Sequence, residues 1–195
     1  MTDRLVLVSH AATAATYEAR FPDDETLDTR GTADATAVRG TLRRIEKAYR
    51  GPETRCRQTA GALGLDATVH PSLADLDLGN WRGRTLTGLE ADQPADLHAW
   101  LTNPATAPHG GESLSGLVHR VARWLDELPA GPTRIAAITH PSVIRAAALH
   151  VLGAPPSSFW RLDTAPLSQT WLSRHGGRWQ LRETGHPLTP VAGNS

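Results

Sequence analysis

The sequence predicts an α/β fold, a three-layer α/β/α sandwich with a mostly parallel central sheet and a small cap insertion. Three observations predict it. Leu5-Val6-Leu7-Val8-Ser9 and Ile135-Ala136-Ala137-Ile138-Thr139 are short apolar runs rich in β-branched residues, as expected of strands buried on both faces of a parallel sheet. Segments of helical period alternate with such runs. Each of the two runs ends on a histidine, His10 or His140, where the chain turns, and open α/β sheets bind ligands beyond the carboxyl ends of their strands.

Arg4 to Ser9 reads as the first strand, and Ala11 to Asp28 as a loop or short helix with a turn at Pro22-Asp23-Asp24. A helix is expected from Gly31 to Ala48, since Val38, Leu42 and Ile45 recur at helical spacing. Ala48-Tyr49-Arg50 reads as a strand end. Gly51-Pro52 breaks the chain, and Pro52 suits the first turn of a helix carrying Arg55, Gln58, Thr59 and Leu63. Asp66 to Gly111 is less regular and reads as the cap. It holds an extended piece near Thr68 to His70, a loop from Asp75 to Gly83, and short helices around Thr85 to Glu90 and Ala95 to Leu101.

The clearest helix runs from Ser113 to Leu128. Leu114, Leu117, Val118, Val121, Trp124, Leu125 and Leu128 share one face, Ser113 suits the N-cap, and Pro129 ends it. Arg134 to Thr139 is the next strand, and Pro141 to Leu152 the next helix. Phe159 to Leu162, Ser168 to Arg174 and Trp179 to Glu183 read as strands, the last two joined by a turn at His175-Gly176-Gly177. The tail after His186, with Pro187, Pro190 and Gly193, is expected to fray.

At 195 residues the chain is read as a single domain, 1–195, with the cap at about 66–111. Acidic and basic residues balance at 20 each, which argues against nucleic acid or an anionic membrane as partner. The single cysteine, Cys56, excludes a disulfide framework. With no leader signature and no apolar run of bilayer length, a cytoplasmic location is expected. The C-terminal hairpin carrying Trp171 and Trp179 is expected to pack inside the domain, a homodimer through it being the alternative.

Five segments carry the chemistry. His10 at a strand end is exposed to the crevice, and a neutral imidazole whose other nitrogen is hydrogen-bonded is a nucleophile toward phosphorus. His140 precedes Pro141 and sits at a helix N-cap, where N–H groups and the helix dipole favour an anion. Arg55 lies in a helix's first turn, where its fork suits two phosphoryl oxygens. Arg57 is expected to be solvated or paired, and Cys56 to pack. Leu73-Ala74-Asp75-Leu76-Asp77-Leu78-Gly79-Asn80-Trp81-Arg82-Gly83 offers Asp75 and Asp77 as competing proton donors. His109-Gly110-Gly111-Glu112-Ser113 permits close backbone approach. Taken singly, each also has a plain structural reading: a strand-end histidine, a cap, a solvated turn. No spacing suggests a metal site.

In this order the segments resemble the phosphoglycerate mutase-like histidine phosphatase superfamily. Val8-Ser9-His10-Ala11-Ala12-Thr13 takes the place of the family's Arg-His-Gly motif and downstream threonine. Arg55-Cys56-Arg57-Gln58-Thr59-Ala60 is similar to its second arginine segment, Leu73 to Gly83 to its acid loop, and Gly110-Gly111-Glu112-Ser113 and Thr139-His140 to its remaining blocks. The resemblance implies a phosphomonoester hydrolase acting on a small phosphorylated metabolite without a cofactor. It implies His10 as nucleophile, Asp75 as proton donor, and His140 and Arg55 as holders of the phosphoryl oxygens, with Ser9, Thr13 and His109 as further phosphate-binding candidates.

The chain departs from the pattern at four places. Ser9 replaces the arginine beside the nucleophile, Ala11 and Pro141 replace glycines, and Asp75 replaces glutamate. Losing a preorganised donor to a developing anion costs on the order of 100- to 1,000-fold in rate, so Arg20, Arg82, Arg84 and His109 are weighed as substitutes for the lost cation. The alternative to an enzyme is a catalytically weak or inactive relative that binds a phosphate or metabolite in a regulatory role. A third reading is chemistry other than phosphoryl transfer.

Overall fold

The computed structural model describes residues 3–129, 131 and 133–190. Six strands, β1 (Asp3–Ser9), β2 (Lys47–Arg50), β3 (Thr68–Val69), β4 (Arg134–Thr139), β5 (Ser168–His175) and β6 (Arg178–Pro187), form one sheet in the order β3-β2-β4-β1-β5-β6. The first four in that order run parallel, and β5 and β6 add an antiparallel hairpin beside β1. The helices are α1 (Ala14–Tyr17), α2 (Thr29–Ala37), α3 (Thr54–Leu63), α4 (Leu86–Asp92), α5 (Pro94–Thr102), α6 (Leu114–Glu127) and α7 (Pro141–Leu152).

Alternation along β1 builds the three layers. Leu5 and Leu7 join one core with α6 and α7, while Val6 and Val8 join a second with α2 and α3. Burial on both faces is why the strands read as continuous apolar runs. All seven apolar residues of the 113–128 face are buried, and Ser113 caps α6 by accepting from the Gly116 N–H.

Three expectations are corrected. The helix expected over Gly31–Ala48 spans only Thr29–Ala37. Gly40 and Arg44 adopt φ of +74° and +58°, left-handed values that turn the chain so that β2 can lie beside β4. Leu42 and Ile45 still reach the second core, but from this loop, so their spacing imitated a helix. Phe159–Leu162 is no strand. Pro156–Arg161 winds as a 3₁₀ helix behind Pro155, which buries Phe159 and turns Trp160 outward. The chain after His186 does not fray at once: β6 continues to Pro187, and the buried Leu188 donates its N–H to the Leu167 carbonyl. Gly193 lies outside the described residues.

The region 66–111 contributes β3 to the sheet edge before leaving it. The Trp179 indole donates to the Leu125 carbonyl, fixing the hairpin on α6. No helix among the described residues is long and apolar enough to cross a membrane.

Candidate active site

Three adjacent parallel strands end together, and each delivers part of the site. Ser9 of β1 pairs with Thr139 of β4, so His10 and His140 follow at the same level. Their ring centroids are 5.2 Å apart. On the other side of β4, β2 ends at Arg50 beside Ile138, and the next residues begin α3. Gly51 is required here. A Cβ would lie 2.8 Å from the Glu53 Oε2 and the Leu73 carbonyl, and 3.0 Å from the His140 Nε2.

His10 is buried, and its Nδ1–H donates to the Ala11 carbonyl at 2.8 Å. That bond sets the tautomer and leaves the Nε2 lone pair free. Burial first, then the charges of His140 and Arg55, lower its pKa to about 3. The imidazole is therefore neutral at neutral pH.

His140 has the opposite fate. Burial opposes its charge, but Asp75, Cys56 and Glu53 outweigh it and raise the pKa to about 10. Nε2–H donates to Glu53 Oε2 at 2.7 Å and lies 3.3 Å from the Cys56 sulfur. Nδ1 lies 3.3 Å from Asp75 Oδ2 but makes no hydrogen bond.

Arg55, only 2% exposed, donates Nη2–H to Asp75 Oδ2 at 2.7 Å. Its Nε and Nη1 are buried without partners, an arrangement a protein interior rarely leaves unfilled. Asp75 also accepts from the Leu76 N–H and the Ser142 hydroxyl. Burial alone would raise its pKa, but His140 and then Arg55 hold it well below the usual carboxylate range. The exposed Asp77 instead pairs with Arg82 at 2.6 Å. Asp75 is thus the loop carboxylate that the fold brings to the two histidines.

Thr13 lines a cavity with His10 and Asp75 and donates its hydroxyl to Glu25 at 2.9 Å. Ser9 is fully buried with its Oγ unpartnered, and it does not line the cavity. His109 lies apart, its ring packed on Trp81 at 5.2 Å while Nδ1 accepts from the Gly111 N–H. Arg57 is exposed. The cations weighed as substitutes for the lost arginine are committed elsewhere: Arg20 to Glu18, Arg82 to Asp77 and Arg84 to Asp92.

Sequence reasoning missed four contributors. Glu53 bridges His140 and the Asp75 N–H. Ser142 holds Asp75. Arg145 lines the cavity that His10 also lines. Arg120 grips Glu112 with two bonds and donates to the Ser72, Ala74 and Asp75 carbonyls, tying the acid loop to α6. The Glu112-to-Arg120 spacing, about two helical turns, was the signal available for that last pair. Among the described residues, the one group whose ligand atoms could hold a metal ion is Glu53, Cys56 and His140, within 4.8 Å of one another. Here His140 joins the other two by hydrogen bonds.

Residues 5–186 match the family described as the histidine phosphatase superfamily (branch 1). A bifunctional protein of Mycobacterium tuberculosis is 30% identical over 179 residues, covering 85% of this chain but 49% of that protein. The chain thus spans about half the length of the curated relatives it matches first. Phosphoserine phosphatase 1 of Hydrogenobacter thermophilus is 27% identical over 168 residues, covering 80% of each chain. The solved structure of a mycobacterial glucosyl-3-phosphoglycerate phosphatase with VO3 superposes with a TM-score of 0.82 at 28% identity, over 95% of this chain and 98% of that one.

Proposed function

The chain belongs to the histidine phosphatase superfamily, and from that membership we propose that it hydrolyses a small phosphorylated metabolite through a phosphohistidine on His10. One observation carries the reading: a neutral, buried imidazole stands beside unpartnered, buried N–H groups of Arg55. Those groups are the donors that a phosphoryl group consumes as its charge redistributes. The relatives named for phosphoserine and glucosyl-3-phosphoglycerate support small phosphate esters as the substrate class.

In the first step His10 Nε2 forms a bond to phosphorus as the ester P–O bond breaks. Arg55 and the His140 imidazolium hold the non-bridging oxygens. Asp75 gives its proton to the leaving oxygen. It begins ionised, but an arriving dianion sets two negative charges beside it and draws on Arg55, and both effects raise its proton affinity. In the second step the Asp75 carboxylate takes a proton from water. The water oxygen bonds to phosphorus, the N–P bond breaks, and inorganic phosphate leaves. Glu53 is a positioning residue, keeping His140 charged and oriented.

The second reading, a relative that binds phosphate with little turnover, draws on the uncharged, buried Ser9 beside His10. Turnover of a panel of phosphate monoesters across several pH values separates the two, with His10→Ala as control. Turnover abolished by His10→Ala is the expected result, and turnover that survives it sinks the phosphohistidine. No turnover, with phosphate bound in calorimetry, selects the binding protein.

A further inference from the structure

Resting on that phosphatase reading, we propose that Arg145 selects substrates whose alcohol carries a carboxylate, seated against an aromatic wall. A cavity of about 260 Å³ is lined by His10 and Asp75 together with Trp100, Phe159, Trp160 and Arg145. Whatever leaves phosphorus occupies this space, because both His10, the proposed nucleophile, and Asp75, the proposed donor to the leaving oxygen, border it, whereas the neighbouring cavity shared by Asp75 and Arg55 is not lined by His10. The wall is apolar, with Trp100 and Trp160 ring centroids 4.6 Å apart.

Arg145 is aimed into this space by helix geometry. It lies three residues after Ser142, so both share one face of α7, and Ser142 already reaches Asp75. Long helical side chains lean back toward the helix N-terminus, here the end that holds the site. The guanidinium lies over Phe159, its Cζ 5.6 Å from the ring centroid.

Its donors are in place for a ligand. Nε is buried and makes no hydrogen bond. Nη2, on the same edge of the guanidinium, has its nearest carboxylate at 3.9 Å, on Asp163, which is 99% exposed. That edge is the one that grips a carboxylate with two parallel N–H groups. A buried donor left unpaired is costly, so a ligand that fills it gains selectivity. The other arginine lining the cavity, Arg20, is paired with Glu18 at 2.9 Å. Arg145 lines this cavity with the aromatic residues, whereas Arg55 and His140 do not line it. Its task is therefore to read the alcohol.

The test compares kcat/KM for phenyl phosphate and 3-carboxyphenyl phosphate. The unaltered protein is expected to prefer the carboxylated ester by about 10- to 100-fold, the scale of a charge-assisted bond. Arg145→Gln is expected to bring that ratio close to one. Arg145→Glu is expected to transfer the preference to 3-(aminomethyl)phenyl phosphate. A ratio taken on one preparation is independent of how much of the variant folds. Equal losses on both esters, with the ratio kept, would overturn the proposal and assign Arg145 to the phosphoryl group. If none of the esters is turned over, the phosphatase reading fails by itself. Calorimetric affinities for the same esters then decide the subsite: a carboxylate preference lost in Arg145→Gln supports it, and equal affinities overturn it.

Discussion

Replacing Glu53 by Gln tests the electrostatic core of the site. The amide keeps the shape and an acceptor oxygen, so the change removes charge and little else. The pair to His140 measures 2.7 Å, with Glu53 16% exposed. Two unit charges at that distance attract by about 1.5 kcal/mol in water and about 6 kcal/mol at an effective dielectric constant near 20. The loss lies toward the lower bound, because Gln still accepts the hydrogen bond and Asp75 remains as counter-charge. About 1.5–3 kcal/mol corresponds to a fall of about 1–2 pH units for His140, from its raised value of about 10. The charged form of His140 is the stabilised one, so its contribution is complete below about pH 6.5 and is lost as pH rises through the folded pKa. The assay is kcat against pH on a phosphate monoester, with thermal melts over the same range. The alkaline limb is expected to move down by about 1–2 pH units, and the loss of melting temperature to begin correspondingly earlier. A folded Glu53→Gln protein whose alkaline limb stays in place would refute the reasoning.

His10 makes the opposite prediction on the acid side. With its pKa near 3, kcat/KM should show no inflection at the ordinary histidine value near 6.5, and an inflection there would show that His10 is not held neutral. Its burial as a neutral ring stabilises the fold fully above about pH 6.5 and is lost as pH falls toward 3, so melting temperature should decline on that side too. Asp75→Asn should lower kcat by about 100- to 10,000-fold on alkyl phosphates and far less on 4-nitrophenyl phosphate, whose leaving group needs no proton; equal losses would remove Asp75 as the donor. Arg120→Ala leaves Glu112 and three loop carbonyls unpaired and should destabilise by about 2–3 kcal/mol, or roughly 5–10 °C in a chain of this size. An unchanged Tm would show that α6 does not hold the acid loop.

The parts of the molecule legible in the sequence are those with one dominant cause. The β1 and β4 runs must be buried on both faces, so their composition reveals them. The α6 face repeats over four turns, so its period does. Residues 42 and 45 show where that logic fails. Spacing reports that apolar side chains are wanted in a core, and a loop bent at Gly40 and Arg44 supplies them as well as a helix would. At the site, His10, Arg55 and His140 were legible because each closes a strand or opens a helix. Glu53, Ser142 and Arg145 were not. Glu53 and Ser142 act on His140 and Asp75 of other elements, Arg145 packs over Phe159 of yet another, and only the folded chain makes them neighbours. His109 illustrates the converse: adjacent to the Gly110-Gly111 pair in the chain, it serves the Trp81 cluster in space.

The charges at the site bear on how the proposed chemistry would proceed without an arginine at position 9. Arg55 and the His140 imidazolium contribute two positive charges, Asp75, Glu53 and Glu25 three negative, and His10 none. The floor on which a phosphoryl dianion would settle thus carries no net positive charge, and it lacks the one that an arginine in place of Ser9 would add. Long-range attraction is weak in such a site. What remains is short-range and directional: the Nε and Nη1 donors of Arg55 and the Nδ1 of His140, all buried and unpartnered. Donors fixed in advance need no reorganisation as charge develops, which is the form of stabilisation that favours a transition state over a bound ground state. A floor without net positive charge also leaves Asp75 freer to take up the proton that the proposed mechanism has it donate, since an added cation nearby would hold it ionised. Initial binding must then come from elsewhere in the cavity. The positive charge that lines it with a buried, unpartnered donor is Arg145, beside the aromatic wall.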